Sequence, residues 1–92
     1  MSHQRVYKLA FLPGVTEMGV NLSPSAEVIH FAAQDNNLCL WYIDRDDADG
    51  RKPRAFSIRG TGHDIEDTAT YIDTAFLGAY VFHLFETTQE NN

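Results

Sequence analysis

Residues 60–67 read Gly-Thr-Gly-His-Asp-Ile-Glu-Asp and gather one hydroxyl, one imidazole and three carboxylates directly behind a strand-like segment. Successive backbone N–H groups of Gly60-Thr61-Gly62 could cradle a phosphate. The run lacks the third glycine and following helix of a dinucleotide fingerprint, and it lacks the lysine of a P-loop. Asp64, Glu66 and Asp67 also oppose an anion there unless Arg54, Arg59 or Arg5 offset them. Two glycines one residue apart equally suit a tight turn or bulge leaving a strand. His63 with Asp64, Glu66 and Asp67, and His83 as a distant fourth, could supply part of a metal site or the base of a hydrolase. No HxH, HxxxH or CxxC spacing accompanies them, so no metal is expected. The simpler reading is a histidine hydrogen-bonded to its own loop, with carboxylates in water.

The other candidate nucleophiles are weaker. Cys39 lies within Leu38-Cys39-Leu40-Trp41, an apolar run that predicts a buried, reduced thiol in a cytosolic protein. Ser57 is on no nucleophile elbow, and Thr61 beside His63 is a pair that many loops contain. No catalytic residue is assigned on these grounds. Trp41, Tyr42, Tyr7, Tyr71 and Tyr80 could form a stacking platform for a base, although aromatics of this kind more simply build a small β core. Two or three of the five are expected on the solvent side of their strands. His30 and His83 sit in strand-like runs and read as face histidines satisfied by neighbours.

The elements that must position these residues are short strands separated by turns. Arg5 to Leu12 ends at Pro13-Gly14, a turn dipeptide. Thr16 to Leu22 alternates, with Met18, Val20 and Leu22 on one face. Glu27 to Gln34 and Leu38 to Asp44 flank Asp35-Asn36-Asn37, whose side chains tolerate positive φ and predict a hairpin. Asp44 to Arg54 carries four acids and four bases and reads as a long, solvated hairpin loop. Ala55 to Arg59 is the strand before the glycines. Ile65 to Tyr71 is expected to hold at most one short helical turn, with Asp64 as N-cap. Tyr71 to Leu77 and Tyr80 to Glu86 close the chain around Gly78. Both faces of the last run are apolar, which places it centrally. The predicted fold is mainly all-β, a small antiparallel sandwich or barrel of six to seven strands.

With 92 residues, of which 43% are hydrophobic and 12% aromatic, the chain makes a single domain over 1–92. Its ordered core is expected over about 5–86, with frayed polar ends at 1–4 and 87–92. Residues 1–59 are neutral. Residues 60–92 hold Asp64, Glu66, Asp67, Asp73, Glu86 and Glu90 without one Lys or Arg, so the net charge of −6 comes from the last third. Such a surface repels nucleic-acid phosphates and anionic membranes, which excludes non-specific nucleic-acid binding as an expectation. No apolar run is long enough for a membrane helix, and no basic n-region followed by an apolar run stands at the start, so no secretory signal is expected. A domain this small buries a limited fraction of its surface, so a homo-oligomer is expected.

Leu38-Cys39-Leu40-Trp41, Gly60-Thr61-Gly62-His63-Asp64-Ile65 and Val81-Phe82-His83-Leu84-Phe85-Glu86, with Tyr71-Ile72-Asp73-Thr74 between the last two, resemble a known pattern. It is that of an uncharacterised family of small phage and prophage proteins, with an L-C-L-W-like strand, a G-T-G-H-x-I corner and a closing V-W-H-x-F-E strand. The likeness runs over about residues 5–86. Phe82 stands where Trp is usual, and Tyr42-Ile43 follow Trp41. The resemblance implies a phage or prophage origin and work in the bacterial host cytoplasm. It also raises His63 and His83 as functional candidates. It implies no settled activity beyond the expectation that small phage proteins inhibit a host protein or sequester a small host molecule. With the charge split, the function expected is non-enzymatic, without a cofactor, countering a host defence by binding a host protein through the acidic last third. Alternatives are an oligomeric sponge holding a nucleotide signal at the Gly-Thr-Gly-His corner, a small metal-dependent hydrolase using His63 with Asp64 or Glu66, and a virion or assembly component. The candidate binding set is Arg59, Gly60, Thr61, Gly62, His63, Asp64, Glu66 and Asp67, with Trp41 and His83.

Overall fold

Apolar residues that recur at every second position can be buried only by sheets packed face to face, and the chain follows that constraint. A computed structural model describes residues 4–45 and 50–88, and among these there are seven strands and no helix. The strands are β1 (Gln4–Ala10), β2 (Glu17–Leu22), β3 (Glu27–Gln34), β4 (Asn37–Arg45), β5 (Lys52–Gly60), β6 (Thr70–Leu77) and β7 (Tyr80–Glu86). They form two antiparallel sheets, β1-β4-β3 and β2-β5-β7-β6. The chain is an all-β sandwich, and β7 is central as its two apolar faces predict.

The turns follow from their residues. Asp35 and Asn36 adopt φ of 52° and 65°, the two positive values of a type I′ hairpin turn between β3 and β4. Pro13-Gly14 sits at the centre of a turn closed by Val15 N–H to Leu12 C=O at 2.9 Å. The segment expected to hold a helical turn contains one β-turn, Ala69 N–H to Glu66 C=O at 3.0 Å, and then enters β6 at Thr70. Of that segment only Thr70 and Tyr71 pair with β7.

Leu40, Phe56 and Leu84, each fully buried, stand at the centre of β4, β5 and β7, and Phe31 and Leu22 pack with them. β2 presents Met18, Val20 and Leu22 to this core, as its alternation predicts. The sheets also meet edge to edge. β3 and β6 run side by side, each with a local irregularity, and Phe31 N–H donates to the Asp73 carboxylate at 3.0 Å. That junction leaves β1 and β2 as the outer strands of the assembly.

One expectation is overturned. Residues 44–54 do not form a hairpin loop, because β4 and β5 belong to different sheets and the segment crosses between them. Nor is Asp44 solvated: it is 5% exposed and accepts from the N–H groups of Ser23 and Arg45 and from the Arg51 guanidinium. Burial pushes this carboxyl upward, but the hydrogen bonds from Arg51, Ser23 and Arg45 outweigh it and hold the group below its ordinary range. Asp46, Asp47 and Asp49, which with Asp44 supply the acids of the expected loop, lie outside the described residues. The same is true of most of the expected frayed ends. Gln4 belongs to β1, while Thr87 N–H bonds Ala55 C=O at 2.8 Å and Thr88 Oγ1 donates to Glu86 at 2.6 Å.

At this end of the sandwich Arg54 and Glu86 form a two-point pair, with both N–O distances 2.8 Å. Arg54 also donates to Ala26 C=O at 2.6 Å and lies 5.8 Å over the Phe56 ring, so it ties β5 and β7 to the β2–β3 connection. The Arg54 hydrogen bonds hold the Glu86 carboxyl below its usual value, against the upward push of burial. A depressed carboxylate stabilises the fold fully above its unfolded pKa, and that contribution is lost as pH falls through the folded value. Glu86→Gln should therefore lower the unfolding free energy by about 1–3 kcal/mol at neutral pH. It should also flatten the loss of stability below pH about 4. Urea unfolding of both proteins across that range checks the sign.

Candidate functional site

The last β5 residue pairs with Phe82 of β7, and the chain then turns sharply. His63 N–H bonds Gly60 C=O at 3.1 Å, with Gly62 at φ +87°, the third position of a type II turn that side-chain-bearing residues resist. Gly60 serves a different purpose and gives room to the His63 ring. A Cβ there would lie 3.0 Å from His63 Cε1, because the ring folds back and its Nδ1 accepts Gly60 N–H at 3.2 Å. His63 is thus engaged by its own loop, the simpler of the arrangements its sequence context allows.

The two-residue period of β7 places Leu84 inward and His83 outward. On the outer face of the four-stranded sheet His83 stands between Arg59 of β5 and Thr74 of β6. Its Nε2 meets Thr61 Oγ1 at 3.0 Å and its Nδ1 meets Thr74 Oγ1 at 2.9 Å. Thr74 in turn meets the Tyr71 hydroxyl at 2.7 Å. The result is a continuous chain, Tyr71–Thr74–His83–Thr61, that joins the corner to β6. A neutral imidazole carries one N–H, so one threonine donates to the ring while the other accepts from it. Thr61 thus pairs with His83 and not with His63. Thr74 and Tyr71 were outside the candidate binding set, because their link to the corner depends on the β6–β7 register and not on spacing.

Arg59 organises the acidic side. Its guanidinium meets Glu17 at 3.2 Å and Glu66 at 3.6 Å, and Nε donates to Asp64 C=O at 3.1 Å. Two carboxylates, those of Glu17 and Glu66, and the Asp64 carbonyl thus engage one base. Asp64 and Asp67 are exposed and have no ion-pair partner among the described residues. Arg54 lies at the opposite end of β5, held by Glu86, and Arg5 is on the other sheet, so neither offsets this charge. Among the described residues no three His, Cys, Asp or Glu side chains are grouped so as to hold a metal.

Trp41 is not brought to the corner. It lies on β4 in the other sheet, its ring 5.4 Å from His30. Tyr7, Tyr71 and Tyr80 are exposed, but they stand on different strands and do not form one platform. Cys39 is buried, with Sγ 3.6 Å from Asn37 C=O. An apolar cleft of about 190 Å³ lies beyond Phe82, between Phe11, Leu12, Val15, Ile58 and Leu77, and no charged side chain lines it. Among the described residues no helix is long and apolar enough to cross a membrane.

A family described as a domain of unknown function, DUF7352, matches residues 2–92. The chain belongs to this family. No curated protein and no solved structure matches it. In this DUF7352 chain the candidate site is therefore defined by its own geometry: a glycine turn, a threonine–histidine–threonine–tyrosine chain, and Arg59 held by Glu17 and Glu66 beside exposed Asp64 and Asp67.

Thr74→Val keeps the shape and β propensity of the side chain but removes the hydroxyl shared by His83 and Tyr71. It should cost about 1 kcal/mol and shift the His83 ring ¹⁵N resonances while leaving those of His63 in place. Long-range ¹H–¹⁵N spectra of the two proteins check this.

Proposed function

We propose that this protein works by binding a basic protein surface with the face around the Gly-Thr-Gly-His corner. The observation that carries the reading is the state of Arg59: this base at the corner is already held by Glu17 and Glu66, while the exposed Asp64 and Asp67 have no ion-pair partner among the described residues. A phosphate-bearing nucleotide would need a free base there, and Arg54 is engaged at the far end of the sandwich. A basic protein surface needs the reverse, carboxylates with no internal cation left to compete.

The neighbouring sheet face adds anchors. Phe76 is 70% exposed and Tyr71 56%, and Tyr71 packs edge-on against Phe85 at 5.8 Å. Aromatic rings beside carboxylates suit arginine, which stacks on the one and pairs with the other. Such central aromatics with a charged rim are the usual makings of a binding hot spot. The resemblance to small phage and prophage proteins supplies the setting: a host protein in the bacterial cytoplasm, engaged to counter a defence, with no chemistry performed on it.

The test is capture from bacterial lysate by the immobilised protein, with Asp64→Asn/Glu66→Gln/Asp67→Asn as control. A basic host protein should be retained by the wild type, released as salt rises, and lost with the triple variant. Phe76→Ala should weaken capture without altering its salt dependence. A partner held equally by the triple variant would sink the proposal. So would a nucleotide that raises the melting temperature and loses that effect in Thr61→Ala or His63→Ala, the signature of a nucleotide sponge.

A further inference from the structure

The junction of β3 with β6 leaves two free sheet edges, and the two are treated differently. On β2 the Arg51 guanidinium lies 3.5 Å from Asn21 C=O, Glu17 is held by Arg59, and Gly19 offers no side chain at mid-strand. On β1 two polar side chains, Gln4 and Lys8, are drawn back over their own sheet. Lys8 Nζ reaches across β4 to Gln34 Oε1 at 2.7 Å, and Gln4 Oε1 accepts from Arg45 Nε at 3.2 Å. Val6 and Tyr7, on opposite faces of β1, are 59% and 42% exposed. A seven-residue edge of this kind, with apolar side chains exposed and Lys8 turned towards its own sheet, is what proteins that stay monomeric avoid.

We infer that β1 pairs antiparallel with β1 of a second copy, about a two-fold axis through Tyr7. The register follows from parity and charge. In β1 the residues that share a face with the buried Leu40 and Tyr42 are Leu9 and Tyr7, and those on the outer face are Val6 and Lys8. An axis through a residue keeps the inner faces of both copies on the same side of the joined sheet, whereas a one-residue slip inverts one of them. The axis through Tyr7 pairs all seven residues of β1, setting Arg5 opposite Leu9 and Val6 opposite Lys8, with no like charges facing. Moving it to Lys8 sets two lysines face to face, and moving it to Val6 pairs only residues 4–8 of β1 with one another. The two Tyr7 rings, each already stacked on Tyr42 at 5.5 Å, then meet at the axis. An edge about 24 Å long is smaller than a standard interface of about 800 Å² per partner, so this dimer dissociates on dilution. It lies on the opposite sheet from the acidic corner and does not depend on the function of that corner.

The test is sedimentation equilibrium over a concentration series for the wild type, Val6→Lys and Val6→Glu. The mass of the wild type should rise from one chain towards two. Val6→Lys sets lysine opposite Lys8 twice across the axis and should raise the dissociation constant about tenfold. Val6→Glu sets carboxylate opposite ammonium and should leave it unchanged or lower it. A wild type that stays at one chain overturns the inference, as does an equal weakening by the two variants, which would mean that Val6 acts only through its apolar surface. If either variant proves unfolded by circular dichroism, hydrogen exchange of the wild type decides. Amides of residues 4–10 that exchange more slowly at high concentration support the pairing, and exchange independent of concentration refutes it.

Discussion

The arrangement of this protein depends on the two-residue period of β7, held between β5 and β6. Leu84 is fully buried against Phe56 and Leu40, and this fixes the phase of the strand. Once Leu84 points inward, His83 and Phe85 must point outward. The register then sets His83 beside Arg59 on one side and Thr74 on the other. A one-residue slip would carry the histidine into the core and open its hydrogen-bond chain to Thr61 and Tyr71. The candidate site is thus fixed by the same burial that holds the sandwich together, with no separate device needed to orient it.

Charge is distributed on the same terms. The last third of the chain is acidic in sequence but does not make one acidic surface. Glu86 is consumed by Arg54, where it ties β7 to β5 and the β2–β3 connection. Asp73 is consumed at the β3–β6 junction, accepting the N–H groups of Phe31 and Thr74. What remains at the corner is Asp64, Glu66 and Asp67, joined by Glu17 from the neutral part of the chain. Structural carboxylates are those whose partners are backbone amides or a buried guanidinium. The carboxylates without an ion-pair partner among the described residues, Asp64 and Asp67, are those at the turn.

Local signals in the sequence were sufficient wherever the structure is local. The Asp35-Asn36 turn, the alternation of β2 and the central place of β7 follow from residue types acting over a few positions. The path from β4 to β5 was not legible in this way. The charges of 44–54 cancel in sequence and suggest a solvated loop, yet Asp44 occupies an inward-facing phase of β4 and finds three donors there. Two strands joined by such a segment look like a hairpin until their other partners are known, and β1, which pairs β4, and β2 and β7, which pair β5, are distant in sequence. The pairing of Thr61 with His83 was hidden for the same reason, since it spans 22 residues and exists only in the β5–β7 register. Trp41 was attractive by type alone, and the sheet order places it on the other layer.

The central claim is that the surface around Arg59 and the glycine turn, and not the protein's net charge, selects a basic partner. Nuclear magnetic resonance titration with a short arginine-rich peptide tests it most directly. The account predicts saturable amide shifts confined to Glu17, residues 61–67 and the Tyr71–Phe76 segment, with exposed Glu27 and Asp35 on the other sheet unaffected. Shifts spread equally over Glu27, Asp35 and the corner would contradict it, because they would show attraction to charge without a site.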